Sequence, residues 1–181
     1  MKLTFKNDTF KILQIADTQE GRKVSPDTLA LINAALDREE PDLVVYSGDQ
    51  IWGRGFHGDV NQVRRVLKEL TAPVVERHLP FAICFGNHDR QVGLDNRAQF
   101  EIYKEIPGFI GEDTPGVDGV GNCVLEIADG DRPGYLLYLI DSHSSLKVGY
   151  DHVHQNQIDW YRGVRDSYEK QYGHTIPSVV I

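Results

Sequence analysis

Three short apolar runs, each followed at once by glycine or polar residues, constrain the fold of this chain most strongly. The runs span residues 10–16 (FKILQIA), 42–47 (DLVVYS) and 80–85 (PFAICF). Runs of this length, rich in β-branched and aromatic residues and bounded by turn residues, are typical of buried strands.

The intervals between these runs show the periodicity of helices. Residues 24–40 carry apolar side chains at helical spacing, with Ser25 placed as the N-cap and Pro26 at the first helical position. Residues 59–70 return to the same spacing. Strand–helix–strand–helix–strand is the pattern of right-handed βαβ units, so we expect an α/β fold with a parallel sheet.

The second half of the chain mixes strands and helices. Residues 123–128 and 135–140 flank a turn-forming segment and predict an antiparallel hairpin. Helices are expected at residues 97–106 and 154–172, and a further strand begins at 178.

Composition excludes several classes of protein. The 181 residues suffice for a single domain, which we expect to span residues 1–181. The net charge of −8 disfavours binding of nucleic acid by bulk charge. No stretch approaches the ~20 apolar residues of a membrane span, and Cys84 and Cys123 form no metal-binding pair. We therefore expect a cytoplasmic protein with no membrane partner.

Polar residues of related chemistry follow all three apolar runs. They are Asp17–Thr18–Gln19, Gly48–Asp49 and Gly86–Asn87–His88–Asp89. The carboxyl ends of parallel strands meet at one sheet edge, where open α/β folds bind ligands. Oxygen donors with some imidazole suit Mn²⁺, Fe²⁺ or Zn²⁺, and one carboxylate can bridge two ions ~3.5–4 Å apart. A Gly-Asp pair alone is a common turn, and the four-residue motif could also be a polar turn with an N-cap.

The ordered motifs resemble the signature of the calcineurin-like metallophosphoesterases: strand–Asp-x-His, strand–Gly-Asp and strand–Gly-Asn-His-Asp/Glu. Residues 140–143 (IDSH) and 155–161 (QNQIDWY) look like a phosphohydrolase subgroup related to purple acid phosphatases. The resemblance implies a sandwich of two mixed β-sheets flanked by helices. It also implies hydrolysis of a small phosphate ester by a metal-activated water, with two divalent ions (Mn, Fe or Zn) as cofactors.

The resemblance also implies a role for each motif residue. Asp49 would bridge the two ions, and Asn87 would also lie near the phosphate. His88 would contact the phosphate or protonate the leaving oxygen, with Asp89 orienting it. The implied metal ligands are Asp17, Gln19, Asp49 and Asn87.

Three further residues are candidates for substrate binding. Arg54 and His57 lie in a glycine-rich loop after the second run, and His143 follows the predicted hairpin. Each has an ordinary alternative, a surface position for the first two and a local hydrogen bond for His143. His152 and His154 are spaced like a metal-binding pair but lack a preceding glycine, so a surface loop is expected there.

The sequence departs from the family pattern in two ways. Gln19 stands where the first motif has His, and a neutral amide is a weaker metal ligand. The later His and the Gly-His-x-His pair of the family do not follow the third motif. We therefore expect the N-terminal portion of the family domain with its C-terminal part missing, partial metal occupancy and weak or absent activity. Dimerisation through an exposed sheet edge is also expected.

Two alternatives to the enzyme hypothesis remain open from the residues alone. A non-catalytic, degenerate phosphoesterase-like binding module is compatible with Gln19 and the absent histidines. An ordinary α/β nucleotide-binding protein is disfavoured because neither GxGxxG nor GxxxxGK[ST] follows the first run.

Overall fold

The structure is a computed structural model that describes residues 2–53 and 55–181. Its strands are β1 (Leu3–Thr4), β2 (Ile12–Ile15), β3 (Leu43–Ser47), β4 (Phe81–Cys84), β5 (Cys123–Asp129), β6 (Arg132–Leu139) and β7 (Ser178–Val180). Its helices are α1 (Pro26–Glu39), α2 (Val60–Glu76), α3 (Asn96–Lys104) and α4 (Gln155–Tyr172), with a 3₁₀ turn at Asp89–Val92.

The described strands form two sheets. One sheet has the order β2-β3-β4 and is parallel throughout, with Tyr46 of β3 opposite Ile15 and Ile83. The other has the order β1-β5-β6-β7 and is mixed: β5 and β6 form the predicted antiparallel hairpin, β1 runs parallel to β5, and β7 runs parallel to β6. The two-sheet α/β architecture expected from the resemblance is confirmed.

Successive side chains of a strand point to opposite faces of its sheet, and this alternation determines the layers of the fold. On β3, Val44 and Tyr46 belong to a core shared with α1, α2 and α3, whereas Leu43 and Val45 belong to a core shared with β5 and β6. A third cluster joins Tyr138 of β6 to aromatic and aliphatic side chains of α4. The layers are therefore three helices, the parallel sheet, the mixed sheet and then α4, because each sheet buries both faces.

The helices follow the predicted periodicity with one extension. Helix α2 continues beyond residue 70 to Glu76 although Pro73 lies inside it. Val74, one residue later, is fully buried, so packing of the helix face outweighs the backbone hydrogen bond that proline removes. Strand β1 has only two residues, too short to show a pattern. None of the helices in the described ranges is long and apolar enough to cross a membrane.

The packing of α2 generates a stability prediction. Leu70→Ala should lower the free energy of unfolding by about 2–5 kcal/mol, because Leu70 is fully buried and the substitution leaves a cavity. Leu31→Ala is the matched control, since Leu31 lies on α1 and is 72% exposed. Urea unfolding of both variants measures the difference; equal effects would contradict the assignment of this core.

Candidate metal centre

The loops after β2, β3 and β4 are tied together by backbone hydrogen bonds. The amide of Asp17 donates to the carbonyl of Gly48 (3.1 Å), and the amide of Gln19 donates to the carbonyl of Asp49 (2.9 Å). The amide of His88 donates to Oδ1 of Asp49 (2.7 Å). These bonds bring the three motifs together at the carboxyl edge of the parallel sheet, as the strand order requires.

Three of the residues in these loops have a strained backbone. Asp17, Gln19 and Asp49 have φ angles of 55°, 45° and 54°, in the left-handed region that non-glycine residues seldom occupy. Such conformations cost of order 1–3 kcal/mol each and cluster at functional sites. Residues at the opposite edge, such as Asn7 and Glu40, also have positive φ, so the strain accompanies the strand-end loops without being confined to them.

Gly86 allows the third loop to approach the second. A Cβ atom at this position would lie 2.5 Å from the amide nitrogen of Asp49 and would also collide with the Asp49 carboxylate. Gly48 contacts Gly86 in turn, at φ 104°. The two glycines are therefore required by close contact between the loops.

Asp89 has a different position from the one expected. Its side chain is buried and accepts hydrogen bonds from the amides of Asp49, Gln50, Ile51 and Gly86, at 2.8–3.2 Å. Burial raises the pKa of Asp89 to about 7, although hydrogen bonds from the amides of Gly86, Ile51 and Asp49 oppose that shift. Asp89 thus holds the second and third loops together.

The role of Asp89 in orienting His88 therefore needs correction. Among the described residues, no hydrogen bond joins the Asp89 carboxylate to the His88 ring, and Nδ1 of His88 is buried without a partner. The ring instead packs against Trp52, with 5.7 Å between centroids. The four amides occupy the Asp89 carboxylate, which explains why it does not reach the imidazole.

The donor groups at this edge fit divalent cations. Asp49 is 8% exposed, and within the described residues its carboxylate has no basic side chain as a partner. A buried carboxylate is costly unless a cation or hydrogen bonds compensate it. Asp17 is exposed, whereas Gln19 and Asn87 are partly buried. Two carboxylates and two amides form an oxygen-rich set suited to hard or borderline ions.

The three expected substrate-binding residues have different environments. His57 is exposed at φ 50°. Arg54 lies outside the described residues. His143 hydrogen-bonds to Gln157 (3.0 Å) and stacks on His154, with 4.1 Å between ring centroids. The side chain of His143 therefore belongs to a second polar cluster at the start of α4.

This second cluster contains residues that the sequence did not single out individually. Gln157 and Asn122 are fully buried and hydrogen-bonded to each other and to Asp141. In the sequence, the QNQIDWY segment pointed to this region, but it did not indicate a role for Gln157. His154, expected in a surface loop, caps α4, and the hydrogen bonds that its ring makes to the carboxylates of Asp118 and Asp151 raise its pKa.

A separate cavity of about 740 Å³ lies at the opposite edge of the parallel sheet. Lys6 and Arg77 line it, but they pair with Asp42 (2.7 Å) and Asp37 (2.6 Å) respectively. The third basic side chain of the cavity, Lys11, donates from Nζ to the backbone carbonyl of Glu39 (2.9 Å).

The sequence matches the profile of the calcineurin-like phosphoesterases over residues 10–175. The chain therefore belongs to this family, and the predicted membership is confirmed.

Similar proteins include phosphatases and relatives described as inactive. The chain is 31% identical to the phosphatase DCR2 of Saccharomyces cerevisiae over 185 residues, covering 87% of this chain and 32% of that protein. It is 28% identical to a protein of Arabidopsis thaliana named probable inactive purple acid phosphatase 14, covering 88% of this chain and 48% of that protein. The chain spans about a third to a half of the length of these relatives.

A solved structure shares the fold. The crystal structure of a dimetal phosphatase from Danio rerio aligns with a TM-score of 0.64 at 14% identity, covering 95% of this chain and 68% of that one. The likeness extends over both sheets and the helices and confirms the metallophosphoesterase fold.

The contact at Gly86 predicts a specific loss of stability. Gly86→Ala should lower the free energy of unfolding by about 1–3 kcal/mol, because the methyl group overpacks the Asp49 loop. Gly163→Ala is the control, since Gly163 lies in α4 with no atom near its missing Cβ, and alanine there should stabilise the helix by about 0.5–1 kcal/mol. Thermal and urea unfolding should give opposite signs for the two variants.

The hydrogen bonds of the buried Asp89 carboxylate predict a local change in hydrogen exchange. Asp89→Asn should replace acceptor oxygen by an N–H₂ group facing amide donors, leaving at least one of them unpaired at a cost of about 1–3 kcal/mol. Hydrogen exchange at the amides of Asp49 and Gly86 should accelerate. Asp59→Asn, at the exposed N-cap of α2, keeps a good cap and should leave those amides unchanged; unchanged protection in Asp89→Asn would refute the bracing role.

Proposed function

We propose that this chain is a metal-dependent phosphoesterase that hydrolyses a small phosphate ester through a metal-activated water. The observation that carries the proposal is the joining of three strand-end loops, which brings Asp17, Asp49 and the Asn87–His88 segment to one edge of the sheet. Membership of the calcineurin-like family supports this chemistry.

We assign a role to each residue from its position. Asp49 is the candidate bridging ligand, because it is the most buried of the carboxylates in the ligand set and lies between the first and third loops. Asp17 and Gln19 would complete one side of the centre, and Asn87 the other. Bound divalent ions would supply Lewis-acid stabilisation of the phosphoryl oxygens and lower the pKa of a coordinated water.

His88 is the candidate for phosphate contact or proton transfer. Its ring packs against Trp52, and Nδ1 is buried without a hydrogen-bond partner among the described residues. A general acid must reach the leaving oxygen at hydrogen-bond distance. Nε2 is therefore the ring nitrogen we propose for that contact, whereas the carboxylate of Asp89 is occupied by backbone amides.

Manganese is the metal we propose, since Gln19 replaces an imidazole by a neutral oxygen donor and oxygen-rich sites favour harder ions.

A cytoplasmic location and dimerisation through a sheet edge belong to the same proposal. Strand β7, at the edge of the mixed sheet, supports the latter because Val180 is 50% exposed.

A second candidate function is a non-catalytic binding module. Gln19 in place of a histidine favours it, and one similar plant protein carries the description inactive. The two functions differ in turnover rather than in metal binding.

Activity measurements separate these functions. With Mn²⁺, the purified chain should hydrolyse an aryl phosphate above a metal-free control, and Asp49→Asn should reduce the rate by more than the ~10–100-fold typical of groups that only support metal ligands. Asp131→Asn, in the exposed turn between β5 and β6, is the control and should keep the rate.

Calorimetric titration with Mn²⁺ completes the test. Saturable binding that Asp49→Asn abolishes, without any turnover, would establish the binding-module alternative. Absence of both binding and turnover in the folded chain would refute a metal centre at this edge.

A further inference from the structure

The loop after β6 folds back to place three metal-binding side chains together. Ser145 and Tyr150 form an antiparallel bridge, and the amide of Asp151 donates to the carbonyl of Ser144 (2.7 Å). One nitrogen from each of the rings of His143 and His154 and one carboxylate oxygen of Asp151 all lie within 4.8 Å of one another. All three residues are partly buried.

The hydrogen bonds of Gln157 fix the protonation of His143. The amide nitrogen of Gln157 donates to Oδ1 of Asn122 (2.9 Å) and to the carbonyl of Asp141 (2.7 Å). Its oxygen Oε1 therefore faces Nε2 of His143 and accepts a hydrogen bond from the N–H at that position (3.0 Å). The lone pair of a neutral His143 is consequently on Nδ1.

His154 has a carboxylate at each ring nitrogen. Nδ1 lies 2.8 Å from Oδ2 of Asp118, and Nε2 lies 3.1 Å from Oδ1 of Asp151. When a neutral ring donates from Nδ1 to Asp118, the lone pair of Nε2 faces a carboxylate oxygen. Only a cation or a second proton between them removes that repulsion.

One distance in the cluster matches the separation of two ligands of a metal ion, whereas the stacked rings of His143 and His154, with 21° between their planes, require His143 to turn before both rings can point at one ion. Nitrogen and oxygen ligands at ~2.0–2.2 Å from a tetrahedral Zn²⁺ are separated by roughly 3.4 Å, close to the separation of His154 Nε2 and Asp151 Oδ1. Histidines that bind metals commonly donate their other N–H to a carboxylate or amide oxygen. Gln157 provides that acceptor for one ring and Asp118 for the other.

We propose that His143, Asp151 and His154 form a site for a borderline divalent cation of the Zn²⁺ type, separate from the strand-end centre. Two imidazoles and one carboxylate match the ligand preference of Zn²⁺ and leave one position open to water. The backbone of His143, at φ 67°, shows the strain common at such positions.

A cation bound at this site would connect the loop after β6 to the start of α4. That loop reaches the strand-end centre through Ser144, whose hydroxyl oxygen lies 2.9 Å from Nη1 of Arg90. Arg90 directly follows the Asn87–His88–Asp89 segment. A cation at the new site therefore stabilises one wall of the candidate active site without belonging to its ligand set.

Zinc titration of a variant with a disabled strand-end centre tests the proposal alone. In Asp17→Asn/Asp49→Asn, calorimetry should still give one Zn²⁺ per chain, removable by EDTA. Adding His143→Gln or His154→Ala should weaken that binding at least tenfold. His174→Ala is the matched control, because His174 is exposed and lies outside the cluster; it should leave the affinity unchanged.

A second readout covers the possibility that His154→Ala disturbs the helix cap. Cobalt(II) bound to the double variant should show visible absorption from nitrogen ligands, and His143→Gln, which leaves the cap intact, should abolish it. Absence of stoichiometric Zn²⁺ binding in the folded double variant would overturn the proposal. Binding that His143→Gln does not weaken would also overturn it, and in either case His154 is a protonated cap held by two carboxylates.

Discussion

The Asp89 carboxylate accepts four backbone N–H groups, and the candidate site depends on these hydrogen bonds. Three donors come from the loop after β3 and one from the end of β4. This side chain thus joins two loops that are also linked by the hydrogen bond from the His88 amide to Oδ1 of Asp49. Because the carboxylate is buried, its charge is costly, and this cost raises the pKa of Asp89 to about 7. The buried charge that positions the site therefore lowers the stability of the fold. Burial of apolar side chains in the two cores of the sandwich offsets that cost.

The same constraint explains the strained residues and the glycines. With the loops held at one separation, Asp49 fits only in a left-handed conformation, and only glycine fits at position 86. The backbones of Asp17 and Gln19 are also left-handed, and their amides donate hydrogen bonds to carbonyls of the strained second loop.

Apolar periodicity sufficed to predict the βαβ units, the hairpin and α4, because burial dictates each of these patterns. The strand-end motifs likewise predicted which loops meet. What the sequence could not show is the direction of each side chain within the third motif: consecutive residues of a tight turn point in different directions, so Asp89 points inward while His88 packs on Trp52. The ring contacts of His154 depend on Asp118, which is 36 residues away, and no local pattern encodes that approach.

The two sheets contribute to one surface because their packing aligns the ends of β4 and β6. Cys84 at the end of β4 and Leu139 at the end of β6 share the core between the sheets. The loops that leave these strands must therefore emerge side by side, and the Arg90–Ser144 hydrogen bond is the contact that results. A ligand bound at the ends of the parallel sheet would consequently face the loop of the mixed sheet as well. Changes in that loop can therefore alter the site without touching Asp17 or Asp49.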